Sequence, residues 1–295
     1  MAIFVTGDTH GPDSMGIHSF DGFMPRFNMI SFPEQRELTK EDVVIICGDF
    51  GGVWDTDPYH CTETPREKYE LDWLDNKNFT TLFVPGNHEN YNRLTGCKDE
   101  KLVNSWMFAK YSEADKARLR EGYPQRPWHG GTVRVIRSSV MMAEPGVFDI
   151  CGKKCFCYGG APSHDIEGGV IDPSDYPTKA KYKAVYKKKV AESVHFRVRG
   201  LSWWEQENPG PEAEQAAMAA LERVNRSVDF IFTHDCAVSN RVLMEKTVDA
   251  RINHFLEEVK QNTEYKHWFF GHFHSGYNFP GGKEHLIYEQ VCQIA

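Results

Sequence analysis

Val43-Val44-Ile45-Ile46-Cys47-Gly48-Asp49-Phe50-Gly51-Gly52 changes character at residue 48: five apolar residues, four of them β-branched, give way to a glycine and a carboxylate. Five residues are too few for a helix, and the β-branched content predicts a buried strand. Four other stretches repeat the pattern. Ile3-Phe4-Val5 leads into Thr6-Gly7-Asp8-Thr9-His10-Gly11, and Leu82-Phe83-Val84 into Pro85-Gly86-Asn87-His88-Glu89. Phe230-Ile231-Phe232 precedes Thr233-His234-Asp235, and Trp268-Phe269-Phe270 precedes Gly271-His272-Phe273-His274. Five short strands therefore end in loops carrying Asp, Asn or His. Open α/β sheets bind ligands at the carboxyl ends of their strands, so the five loops are expected to meet at one site.

The intervening segments complete an α/β pattern. Helices are expected over 66–76, over 211–225, where Pro and acidic residues precede Ala-Ala-Met-Ala-Ala-Leu, and over 250–261. A second set of strands, antiparallel to one another, is expected at 132–136, 140–143, 147–150 and 154–158. The Lys-rich stretch 179–198 reads as a helical or irregular surface insertion, and Lys187-Lys188-Lys189 as a solvated face. No internal repeat, long linker or low-complexity tract interrupts the chain. A single domain over 1–295 is expected, with a surface insertion around 165–210.

The 295 residues suffice for a sizeable core. Hydrophobic residues make up 40% and charged residues 26%, ordinary values for a globular protein. No apolar run reaches the length of a membrane span. The opening residues read as a core strand rather than a removable leader, so a cytoplasmic location is expected. The net charge of −8 disfavours long nucleic acid as a partner. A small anionic substrate stays compatible with it, because a local cation overrules the global balance. Among the eight cysteines, Cys151, Cys155 and Cys157 lack the matching second pair of a zinc knuckle, and the alternation in Lys154-Cys155-Phe156-Cys157-Tyr158 suits a strand. Reduced thiols are expected.

Asp8-x-His10 and His272-x-His274 each place two metal-ligand types two residues apart, on one side of an extended segment. Asp49 supplies a carboxylate able to bridge two ions, Asn87 a carbonyl oxygen and His234 an imidazole. Mixed nitrogen and oxygen donors suit Mn, Zn, Fe or Co better than Ca or Cu. Paired ions at about 3.5–4 Å clamp the attacking and leaving oxygens of an in-line displacement. Two divalent cations, offset by Asp8, Asp49 and a bridging hydroxide, leave a positive site that attracts a phosphoryl oxygen.

Gly-Asp-x-His, Gly-Asp, Gly-Asn-His-Glu, a lone His and Gly-His-x-His, in this order, resemble the signature of calcineurin-like metallophosphoesterases. The pieces span residues 7 to 274. The resemblance implies a four-layer α/β/β/α sandwich with a metal pair at the sheet edge. Asp8, His10, Asp49 and His274 would hold one ion, and Asp49, Asn87, His234 and His272 the other. It also implies that His88 contacts the phosphate or protonates the leaving oxygen, a role typically worth about a hundredfold to ten-thousandfold. Glu89 or Asp235 would then orient a nearby imidazole. One departure stands out. Gly48-Asp49 continues with Phe50-Gly51-Gly52, whereas phosphoprotein phosphatases of this superfamily continue with Asp and Arg. A small-molecule or nucleotide phosphate ester is therefore expected rather than a phosphoprotein, with Arg199 a candidate replacement for the missing cation.

Each residue also has a plainer reading. Asp8, Asp49 and Asn87 suit turns, His272 and His274 suit an exposed hairpin, and His234 suits a structural role. Together the motifs outweigh those readings. Elsewhere the balance reverses: against an approach to the site from a loop, His164-Asp165 reads rather as a turn, and against stacking on a nucleobase, Trp203-Trp204 reads rather as packing, while Tyr91, Asn92 and Trp54 flank the motif loops. The expected activity is phosphate-ester hydrolysis by a metal-bound hydroxide, with Asp49 and His88 catalytic and monoester or diester preference open. The rival is a silent binding or scaffold protein that keeps the fold.

Overall fold

Alternation within the buried strands determines the layering. In the computed structural model, which describes residues 1–11, 21–55, 60–247 and 250–295, Ile3, Val5, Val43, Ile45, Cys47, Leu82 and Val84 share one apolar cluster. Their neighbours Phe4, Val44, Ile46 and Phe83 share another. Successive strand side chains point to opposite faces, so a strand apolar at every position must be covered on both sides.

In chain order the strands are β1 (Ile3–Thr6), β2 (Val43–Cys47), β3 (Thr80–Val84), β4 (Gln125–Trp128), β5 (Gly131–Arg137), β6 (Val140–Ala143), β7 (Gly146–Ile150) and β8 (Lys153–Tyr158). They continue as β9 (Val170–Ile171), β10 (Arg197–Val198), β11 (Phe230–Thr233), β12 (His267–Phe270), β13 (Tyr277–Asn278), β14 (Glu284–Leu286) and β15 (Cys292–Gln293). One sheet has the order β15-β1-β2-β3-β6-β5-β4 and the other β13-β14-β12-β11-β8-β7. β1, β2, β3 and β6 run parallel, as do β8, β11, β12 and β14. Both sheets therefore present the carboxyl ends of their parallel strands as loop platforms.

The inner faces close on a core that joins Val5, Ile45 and Leu82 of one sheet to Phe148, Cys155, Cys157 and Phe232 of the other. Outside the seven-stranded sheet lies helix Pro65–Asp75, whose Leu71 and Leu74 meet Val44, Ile46 and Phe83. Thr64 caps this helix by accepting from Glu67 N, and Pro65 opens it where no N–H is needed. Outside the six-stranded sheet lie helices Pro211–Arg223 and Arg251–Asn262. In the second of these Ile252, Phe255, Leu256 and Val259 repeat at helical spacing and pack on Ile231, Trp268 and Phe270. Helix, sheet, sheet and helix layers thus follow one another: this is the four-layer α/β/β/α sandwich.

The middle strands differ from the sequence expectation. β5–β6 and β7–β8 are antiparallel pairs, but they do not form a set of their own. β6 joins β3 in one sheet and β8 joins β11 in the other. Val133, Met141, Phe148, Ile150, Cys155 and Cys157 of these strands face the same inter-sheet core as β1 and β2. Within 165–210, β9 and β10 form a small parallel pair, and helix Lys179–Ala191 packs through Tyr182 on Ile171 and Val198. β15 pairs with β1, bringing the chain's last residues to its first strand, a contact with no sequence signal. Cys155 and Cys157 lie in β8, and all eight thiols are free. No helix among the described residues is long and apolar enough to cross a membrane.

Candidate metal centre and active site

Every predicted site residue lies in the first turn beyond a parallel strand. Gly7-Asp8 follows β1, Gly48-Asp49 follows β2, Pro85-Gly86-Asn87-His88 follows β3, His234 follows β11 and Gly271-His272 follows β12. The loops are joined through backbone bonds. His10 N donates to Asp49 O at 2.8 Å, and Gly271 N to His234 O at 3.0 Å. Asp8 accepts from His272 N at 2.9 and 3.1 Å, and Asp49 Oδ1 accepts from His88 N at 2.8 Å.

The backbone is bent to achieve this. His10, Asp49, His272 and His274 have φ of 49°, 42°, 75° and 47°, in the left-handed region that L-residues seldom occupy. Such conformations persist where the surroundings over-determine them, and they cluster at functional sites. Glycine provides the remaining room: a Cβ at Gly48 would stand 2.0 Å from His234 Nδ1, and one at Gly86 2.1 Å from Asp49 Oδ1.

The donor atoms converge on His234. Its Nδ1 donates to Cys47 O at 3.0 Å, which turns Nε2 inward. Asn87 Oδ1, His272 Nδ1 and Asp49 Oδ1 stand 3.1, 3.2 and 3.3 Å from that Nε2. Acceptors crowded in a buried place need a positive charge among them, either a proton on Nε2 or a cation in its place. On the other side, His10 Nε2 is 3.4 Å from Asp49 Oδ2. Two groups of ligand atoms, each within 4.8 Å, emerge: Asp8, Asp49 and His234, and His10, Asp49 and His88. Asp49 belongs to both. Asp8, Asp49 and His234 are buried, so the donor set fits divalent cations both in chemistry and in its need for charge.

His274 stands apart from these groups. Its ring is 4.8 Å from that of His10 and stacks on Tyr288 at 5.0 Å. The group of His10 and Asp49 contains His88 in the place expected for His274, and Asp8 joins Asp49 and His234 instead of His10.

Burial and neighbouring charge set the protonation balance. Burial raises Asp8 to about 6 despite the His234 and His10 imidazoles. Burial also acts to raise Asp49, but the imidazoles of His234, His88 and His10 hold it well below the usual carboxylate range. Burial disfavours charge on His10 and His234, yet the carboxylates outweigh it and raise them to about 10 and about 9. His88 and His272 go the other way: burial lowers them to about 4 and about 3, leaving neutral imidazoles at pH 7.

Asp49, Asn87, His88, His272 and His274 open into a cavity of about 830 Å³, also lined by His164, Arg241 and Lys246. Asp21, Arg26 and Tyr288 entered the site without being expected there, and His164 entered it against the turn reading that outweighed a site approach. Asp21 Oδ1 stands 3.8 Å from His10 Nδ1 and accepts from Tyr288 OH at 2.7 Å. Buried Arg26 donates to Gly7 O at 2.9 Å, Asp8 O at 3.0 Å and Tyr288 O at 2.5 Å, fixing the β1 loop. His164, read as a turn residue, lines the cavity. Its signal was present, since the strand-then-loop pattern extends to residues 154–158. Arg26 and Tyr288 had no comparable cue.

Three proposed supporting roles need correction. Glu89 does not orient an imidazole: it accepts from Phe50 N and Gly51 N at 2.7 and 3.3 Å, bracing the β2 loop. Asp235 is engaged by Arg241 at 2.5 and 3.0 Å. Arg199 is held by Asp99 and Asp172 at 2.5 and 2.8 Å, so its guanidinium is committed away from the phosphate site. Trp204 is packing, as expected: buried, with its ring 5.3 Å from Trp54.

No curated protein matches the sequence. Among solved structures, a phosphopantetheinyl hydrolase from Mycobacterium tuberculosis is 13% identical, with a TM-score of 0.34, over 98% of this chain and 90% of the other. A protein provisionally described as a 5'-nucleotidase from Staphylococcus aureus, solved with alpha-ketoglutarate, is 13% identical with a TM-score of 0.39, over 97% of this chain and 48% of the other. The family model of the calcineurin-like phosphoesterases matches residues 1–276, a span that includes all five motif loops. The chain belongs to the calcineurin-like phosphoesterase family.

Proposed function

We propose that this metal-dependent phosphoesterase works with a binuclear centre and hydrolyses a small-molecule or nucleotide phosphate ester. Asp8, His10 and Asp49 would hold one ion, with His274 joining them from beside His10, and Asp49, Asn87, His234 and His272 would hold the other. The observation that carries this reading is the membership of Asp49 in two groups of ligand atoms at once. Divalent cations held there would supply Lewis acidity and lower the pKa of a coordinated water. The protein's own groups do the rest. Asp49 holds charge between the two sets, and its Oδ1 is fixed by His88 N. His234 is oriented by Cys47 O, which turns its other nitrogen toward Asp49 and Asn87. The His88 ring, 5.4 Å from that of His10 and 5.7 Å from that of Trp54, faces the cavity and contacts the phosphate or the leaving oxygen. The chain acts as one catalytic unit, with 165–210 as a surface insertion.

The missing Arg after Asp49 and the engagement of Arg199 favour small esters over phosphoproteins. The test is metal-stripped protein reconstituted separately with Mn, Zn, Fe and Co, assayed on para-nitrophenyl phosphate and its bis-ester. Metal-dependent turnover of at least one ester supports the proposal, and the ratio of the two rates assigns monoester or diester preference. Bound metal without turnover across a broad ester panel would instead establish the silent scaffold.

A further inference from the structure

The loop after β8, residues 159–165, is built into the site by contacts the metal donor set does not use. Gly160 N donates to Pro85 O at 2.7 Å, joining this loop to the one that carries Asn87 and His88. Ser163 donates its N–H and its hydroxyl to the two carboxylate oxygens of Glu207, at 2.8 and 3.0 Å, and Glu207 is fully buried. Asp165 is clamped by Arg197 through two contacts of 2.9 and 2.5 Å. Between these clamps stands His164, exposed and lining the cavity, its ring 6.0 Å from that of His272. A loop held at both shoulders loses little freedom when it binds.

Among the described residues, the arginines near this side of the cavity are engaged elsewhere. Arg241 is engaged by Asp235 and by Thr247 O, Arg197 by Asp165 and Arg199 by Asp99 and Asp172. Lys246 sits at the exposed rim on a flexible stem. His88 approaches from the His10 side and His164 from the His272 side.

We propose that His164 is a substrate-binding residue that donates a hydrogen bond to a non-bridging phosphoryl oxygen, the contact that Arg199 does not supply. This inference rests on the phosphoesterase reading above. The loop after β8 is then a sixth functional loop, belonging to phosphate recognition and not to metal binding.

The test uses Mn-loaded wild type, His164→Ala and His164→Gln. Inorganic phosphate binding is measured by calorimetry, alongside metal content, Tm and steady-state hydrolysis of para-nitrophenyl phosphate. His164→Ala is expected to weaken phosphate binding about ten- to a hundredfold, as befits a lost hydrogen bond to a charged group. KM should rise while metal content and Tm hold. His164→Gln keeps an N–H and should lie between alanine and wild type. Unchanged phosphate affinity in His164→Ala, or a glutamine variant as weak as alanine, overturns the proposal. Wild type that neither binds phosphate in a metal-dependent way nor hydrolyses any ester overturns the parent reading as well. Wild type that does both, beside an unaffected His164→Ala, removes this inference alone.

Discussion

The two sheets bring different chemistry to one cavity. Asp8, Asp49 and Asn87, all the oxygen donors of the proposed ligand sets, stand on loops of the seven-stranded sheet together with His10. The six-stranded sheet offers only imidazoles, His234, His272 and His274. Carboxylates bring the charge that balances cations, whereas neutral imidazoles bring direction. Charge and orientation are therefore divided between the sheets, and neither half forms the site alone.

The sharpest way to break this division is Asp49→Ala. Removing the shared carboxylate should abolish turnover and strip both ions, well beyond the ~10–100-fold typical of losing an outer partner. Metal analysis beside the ester assay checks it, and full activity with full metal content would refute the role. His88→Ala should retain metal but slow hydrolysis about 100–10,000-fold. Equal rates with wild type across several leaving groups would remove His88 from the reaction. Away from the cavity, Arg93→Ala tests pure stability. Arg93 Nη1 meets both oxygens of Glu67 at 2.8 and 2.7 Å, and both residues are buried. Stranding the Glu67 carboxylate should cost about 3–5 kcal/mol in denaturant unfolding while metal stoichiometry stays unchanged.

Asp21→Asn addresses the oxygen-donor half from behind His10. Its loss of charge should weaken metal affinity by ~10–100-fold, read by competition with a chelator. The smallest effect concerns pH. Burial raises the Glu207 carboxyl from 4.5 to about 7 despite its Ser163 hydrogen bonds. Its contribution is fully present below about 4.5 and is lost as pH rises through about 7. Glu207→Gln should therefore flatten the fall in Tm between those values, and a parallel profile in both proteins would contradict that.

The strands at 3–5, 43–47, 82–84, 230–232 and 268–270 were legible because each is apolar at every position, and the ligand loops because each begins where that run stops. Two-sided burial could be read directly from composition. The division of β5–β6 and β7–β8 between sheets could not, since antiparallel pairing is local while sheet membership depends on distant β3 and β11. Long-range partners were equally hidden. Nothing near Arg26 or Tyr288 in sequence announces that one holds the other's carbonyl beside Asp8. Arg199 misled because its sequence setting does not reveal Asp99 and Asp172, which hold it.

Anomalous diffraction from crystals of Mn-loaded protein bears most directly on Asp49 as the shared ligand. Two peaks about 3.5–4 Å apart, one touching each Asp49 carboxylate oxygen or both sharing one, is the predicted result. A single peak, or metal bound away from Asp49, would contradict it.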